Sequence, residues 1–197
     1  MFLPFPLAFG ALLCAVVVLF QGVIAPSTYF RLLTNNTADT EIQVPETEEG
    51  EFPVIPYESQ WATLNVDGWQ RRDVKVFFGD NTAILRKGAG MWINSRFCGQ
   101  NGKTVLSAHV NSFFNEIEDT KIGTKVTMDT VYGQYVYEVV DTLIFHYQDE
   151  KPLLPQEGED ILFMYTCYPR SYGFRFKEQR LALICKKIEG KDWKANG

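Results

Sequence analysis

Asp160-Ile161-Leu162-Phe163-Met164-Tyr165-Thr166 and Arg180-Leu181-Ala182-Leu183-Ile184-Cys185 are two nearly continuous apolar runs. Runs this short, with no regular polar position between the apolar ones, predict strands covered on both faces. Working outward, shorter β-rich stretches come before them, at Asp73-Val74-Lys75-Val76-Phe77-Phe78 and Lys103-Thr104-Val105-Leu106-Ser107. Residues 125–131 and 134–140 alternate around Tyr132-Gly133, which predicts a hairpin turning at the glycine. Only residues 81–85 and 112–118 read as helical, and both stretches are short. Six to eight short strands in roughly 135 residues predict a mainly β domain over 59–190, a barrel or a sandwich.

The chain has 197 residues, with 19 basic and 24 acidic side chains, four Cys and two His. Its 46% hydrophobic content is ordinary for a folded protein and argues against disorder throughout. Four Cys are too few for a disulfide scaffold, and the net charge of -5 argues against a nucleic-acid partner. That charge is unevenly placed. Residues 1–58 carry one basic residue, Arg31, against seven acidic ones, whereas residues 59–197 carry 18 basic against 17 acidic. The two parts therefore net −6 and +1, and the expected domain is almost neutral.

Residues 2–25 contain no charged side chain. As a helix they would rise about 36 Å, enough to cross a hydrocarbon core of about 30 Å, which predicts a transmembrane anchor over 1–25. A cleaved signal peptide is the competing reading, with Val23-Ile24-Ala25 as its cleavage site, although Pro26 would obstruct processing. A buried core helix fits less well, because no polar face recurs at helical spacing. Charge alone leaves the orientation open, since Arg31 follows the apolar stretch and no basic residue precedes it. Residues 26–58 read as an acidic Pro- and Thr-containing tether, self-repelling and extended, with a loop packed on the domain as the alternative. Residues 191–197 read as a polar tail.

No phosphate-binding glycine loop and no paired-Cys zinc pattern is present, and no metal or cofactor is expected. Three of the Cys lie in the domain, so at least one of Cys98, Cys167 and Cys185 has no partner there. Cys167 closes the apolar run and stands before Tyr168-Pro169, where a proline must end the strand. By residue type alone a small core hydrophobe is the plainer reading. His109 closes the run 105–108, and His146 follows Ile144-Phe145 in a similar way; each alone is more often structural than catalytic. Arg180 opens the last run, thirteen residues after Cys167, and on its own could be an edge charge. If the two runs pair antiparallel, the end of one lies beside the start of the other, and Cys167 meets Arg180. A thiolate, an imidazole and a guanidinium together permit acyl transfer.

The ordered set Ala108-His109, then Phe163-Met164-Tyr165-Thr166-Cys167-Tyr168-Pro169, then Arg180-Leu181-Ala182-Leu183 resembles a sortase over roughly residues 60–188. The resemblance implies a closed eight-stranded β-barrel displayed outside a Gram-positive cell membrane on a single N-terminal anchor. It implies a cysteine transpeptidase that cleaves a Leu-Pro-x-Thr-Gly-like sorting signal after its Thr, through a thioester. The acyl group then passes to an amine such as that of a peptidoglycan precursor. Carried over, Cys167 is the nucleophile, His109 the general acid/base and Arg180 the oxyanion or substrate anchor. Substrate contacts fall to the loops around Tyr147 and Tyr168, and the partners are surface proteins bearing the signal. The Thr-Cys-Tyr-Pro motif and the 13-residue Cys-to-Arg step look most like class D. Ala108 departs from the usual Gly before the His, and Val110-Asn111 departs from the charged pair common in that class. A thiol hydrolase resolved by water and a non-catalytic binding module on the same barrel are the alternative functions.

Overall fold

β1 (Gln60–Val66) and β2 (Val74–Phe78) pair antiparallel, and α1 (Thr82–Leu85) and the three-residue β3 (Ala89–Met91) follow. They open a computed structural model that describes residues 52–172 and 177–193. The expected anchor, most of the tether and most of the polar tail lie outside the described residues. Among the described residues no helix is long and apolar enough to cross a membrane. The remaining strands are β4 (Lys103–Ser107), β5 (Lys125–Thr130), β6 (Gly133–His146), β7 (Ile161–Tyr168) and β8 (Gln179–Glu189).

These strands close into a barrel in the order β1-β2-β3-β4-β7-β8-β6-β5. Two neighbouring pairs, β2–β3 and β4–β7, run parallel; the others run antiparallel. The barrel is the eight-stranded one expected, and β7 and β8 are central to it.

Their continuous apolar character has a two-sided cause. Leu162, Met164 and Leu183 point into the main core with Trp61, Leu64, Leu106, Met128 and Tyr137. Phe163 and Ala182 point the other way, into a second cluster with Val105 and Phe145. Each large apolar side chain so buried contributes roughly 1.5–3 kcal/mol. The outer cluster is partly roofed by a 3₁₀ turn at Lys151–Leu153, so neither face of β7 reads as polar.

Three local expectations shift. The hairpin turns at Val131-Tyr132, with Thr130 paired to Gly133; Gly133, at φ +146°, opens β6 rather than making the turn. β6 runs fourteen residues, well past the apolar stretch, because an irregularity between Val139 and Asp141 lets the strand absorb the polar Asp141-Thr142 step. Residues 110–116 form successive turns, and only Ile117–Asp119 makes a 3₁₀ turn. The helix expected over 81–85 forms at Thr82–Leu85, with the Asn81 side chain accepting from the Ile84 N–H at 3.0 Å as the N-cap.

Candidate active site

β4 and β7 are parallel neighbours in the register Val105↔Phe163 and Ser107↔Tyr165, so both chains emerge at one end of the barrel. Two contacts extend this alignment beyond the ladder. The Ala108 N–H donates to the Tyr165 carbonyl at 3.4 Å, and the Thr166 hydroxyl donates to the Ala108 carbonyl at 2.6 Å. Ala108 packs into the core, and its backbone is not among the positive-φ residues. The methyl that replaces a hydrogen there meets no backbone strain.

His109 follows directly and is exposed; its carbonyl accepts from the Ser112 and Phe114 N–H groups, which starts the turn. Cys167 follows Thr166 in the same way. Side chains alternate along a strand, so Cys167 shares the outer face with Phe163 and Tyr165. Arg180 is its direct partner across the β7–β8 ladder. The structure thus brings His109, Cys167 and Arg180 to one end of the barrel.

The guanidinium of Arg180 is held in place. Its Nη1 donates to the Lys177 carbonyl at 2.7 Å and the Gln179 carbonyl at 3.0 Å, and its Cζ lies 5.7 Å from the centre of the Tyr147 ring. Tyr147 itself is fixed by its N–H to the Glu178 carbonyl at 2.7 Å. Tyr168 packs back against the barrel core. Of the two expected substrate loops, the one at Tyr147 therefore touches Arg180, and the one at Tyr168 starts from a core-anchored residue.

His146 is paired with Gln179, one residue off the Cys167–Arg180 rung, and so belongs to the other row. Its Nδ1 accepts from the Gln148 N–H at 3.3 Å, a contact internal to its own turn.

All three described thiols are free. Burial pushes the Cys98 and Cys185 thiols up to about 12, keeping both protonated and unreactive. Cys167 alone among them reaches solvent.

Sequence reasoning passed over Tyr165 and the outer cluster. Tyr165 lies on the outer face between Ser107 and Ala182, and burial pushes its phenol above the ordinary tyrosine range, which holds the proton on. Positions 163, 165 and 167 do alternate with 162, 164 and 166, but every one of them except Thr166 and Cys167 is large and apolar or aromatic, which hides the period. Among the described residues no group of His, Cys, Asp or Glu could hold a metal ion. In the acidic run 116–119, Glu116 instead accepts the Gln70 and Arg71 N–H groups at 2.8 and 3.2 Å.

A family model described as the sortase domain matches residues 64–188. Sortase D of Bacillus subtilis (strain 168) is 30% identical over 100 residues, which is 51% of this chain and 50% of that protein. The chain thus spans about half the length of the curated relative it matches. Among solved structures, sortase C from Clostridium perfringens SM101 superposes with a TM-score of 0.60 at 22% identity, covering 69% of this chain and 73% of that one. A Clostridium perfringens Sortase D5 transpeptidase gives 0.60 at 18% identity, covering 69% and 83%. At these identities the structures speak for the fold.

Proposed function

Because this chain belongs to the sortase family of cysteine transpeptidases, we propose that Cys167 is its nucleophile, His109 its general acid/base and Arg180 its oxyanion or substrate anchor. The observation that carries the reading is the rung pairing Cys167 with Arg180, beside a β4 end fastened by Thr166.

The chemistry follows from those positions. The Cys167 thiolate attacks the carbonyl of the Thr in a Leu-Pro-x-Thr-Gly-like signal. Charge grows on that oxygen beside the Arg180 guanidinium, which lies one strand away. The His109 imidazolium gives its proton to the departing amine, leaving a Cys167 thioester. The neutral imidazole then takes a proton from an incoming amine, which displaces the thiolate and forms the new amide.

The apolar outer face leading up to Cys167, with Tyr165, Ala182 and Val105 along it, suits an extended peptide carrying an apolar residue. The donors are surface proteins bearing the signal, and the acceptor is an amine of a peptidoglycan precursor. Residues 1–25 anchor the enzyme as a single pass, and 26–58 tether the domain outside the membrane, the last stretch lying against the barrel through Phe52 and Ile55. The curated relative supports class D.

The test is an aminolysis assay. A labelled sorting peptide with an amine acceptor should give conjugate, and Cys167→Ala should give none. Cleaved acid alone at saturating amine would make the protein a thiol hydrolase. Full function in Cys167→Ala would leave only a binding module.

A further inference from the structure

Arg170 stands three residues beyond Cys167 and takes no part in the reaction just described. Its Nη1 donates to Asp119 Oδ2 at 2.7 Å and to the Asn115 carbonyl at 2.6 Å, and its Nη2 to Asp119 Oδ1 at 3.4 Å. Its backbone N–H donates to Glu118 Oε2 at 3.0 Å. Every one of these contacts joins the segment after β7 to the loop after β4, the two segments that lead away from Cys167 and His109. Past Ala108 and Tyr165, no ladder bond among the described residues holds these segments together. The Arg170 contacts supply a substitute.

A lone exposed ion pair would do little, because solvent screens it and ordering two long side chains costs entropy. Arg170 differs in its geometry. A planar guanidinium that forks onto one carboxylate and also meets a carbonyl fixes direction as well as distance. The same loop is held from its other side: Glu116 accepts two N–H groups of the β1–β2 connection, and the Arg71 guanidinium lies 5.3 Å over the Phe113 ring.

We propose that Arg170 is a positioning residue that clamps the His109 loop to the Cys167 segment and so sets the spacing of the imidazole and the thiol. The proposal rests on reading His109 and Cys167 as one site. Small misplacements of reacting groups cost rate steeply, so a clamp of this kind acts on the chemical step rather than on peptide capture.

The experiment uses the full chain with labelled sorting peptide and amine, with kcat expressed per Cys167 titrated by a thiol-reactive probe and mapped by mass spectrometry. Arg170→Ala should lower kcat by about tenfold and change KM by less than about twofold. Arg170→Lys keeps the charge but loses the fork, and should recover less than half of the loss. Asp119→Asn should resemble Arg170→Ala, and the swap Arg170→Asp with Asp119→Arg should exceed either single variant in kcat. Hydrogen exchange gives a readout without substrate: in Arg170→Ala the amides of residues 168 and 170, the latter bonded to Glu118, should exchange about tenfold faster or more. Unchanged exchange together with kcat within twofold of the parent overturns the clamp. If the parent chain turns over no sorting peptide, the functional reading fails, and the exchange measurement alone decides the clamp.

Discussion

Arg180 and His146 stand one rung apart in the β6–β8 pairing, where Arg180 faces Phe145 and His146 faces Gln179, yet only Arg180 shares a rung with Cys167, and this difference is testable. Arg180→Ala should reduce transpeptidation by about 10²–10³-fold, the usual loss for one oxyanion donor. His146→Ala should stay close to the parent, because among the described residues its imidazole meets only its own turn. Equal losses in the two variants would sink the assignment. Arg180→Lys should recover only part of the activity, since an ammonium that meets the Lys177 and Gln179 carbonyls lacks the second arm of the planar guanidinium. Thr166 offers a different check. Thr166→Val keeps the shape but leaves the buried Ala108 carbonyl without its 2.6 Å donor, at a cost of about 1–3 kcal/mol. Denaturant unfolding should show that loss, and activity measured on the folded fraction should fall as well. A variant with unaltered activity would mean that the end of β4 needs no fastening from Thr166.

The elements explain which parts of this arrangement could be read in advance. β7 and β8 were legible because runs apolar at almost every position fit only a strand covered on both sides. The loop between them allowed an antiparallel pairing without requiring it; the structure forms that pairing, and it brings Cys167 to Arg180. β1 and β3 were not legible. β1 interleaves Gln60, Thr63 and Asn65 with its apolar residues, and β3 is three residues with Gly90 at its centre, too short for a period. The 3₁₀ turn at Lys151–Leu153 was hidden for another reason, since what holds it is remote in sequence. Lys103, in β4, donates from Nζ to the Pro152 and Leu154 carbonyls, both at 2.9 Å, while its ammonium lies 5.6 Å from the Phe163 ring. Burial lowers the basicity of this lysine, so only bonds of this kind keep a cation there. Lys103→Met should therefore release the roof over the outer cluster. Amides of Leu153 and Leu154 should exchange faster by about tenfold or more, while those of β7 change little. Equal acceleration in both places would show that Lys103 supports the whole sheet instead.

At the scale of the molecule, the barrel interior holds weak acids that water would let go. Burial pushes Cys98 and Cys185 up to about 12 from 9.0, and Tyr135 to about 12 from 10.0; Tyr132 and Tyr137 are also raised well above the ordinary tyrosine range. Unfolding returns each group to its ordinary value. Below about pH 9 both states keep these protons, and the groups leave stability independent of pH. Between about 9 and 12 the unfolded chain releases protons that the native barrel retains, so stability must fall as pH rises. Each fully retained proton steepens the fall by about 1.4 kcal/mol per pH unit. Denaturant midpoints should thus be flat from pH 7 to 8.5 and drop steeply by pH 10.5. Cys185→Val removes one such proton without adding a polar group to the core, and its slope in that window should be shallower by about one proton. An identical slope in the variant and the parent would show that Cys185 ionises as easily inside the barrel as outside it. That result would contradict a fold in which, among the described thiols, solvent reaches Cys167 alone.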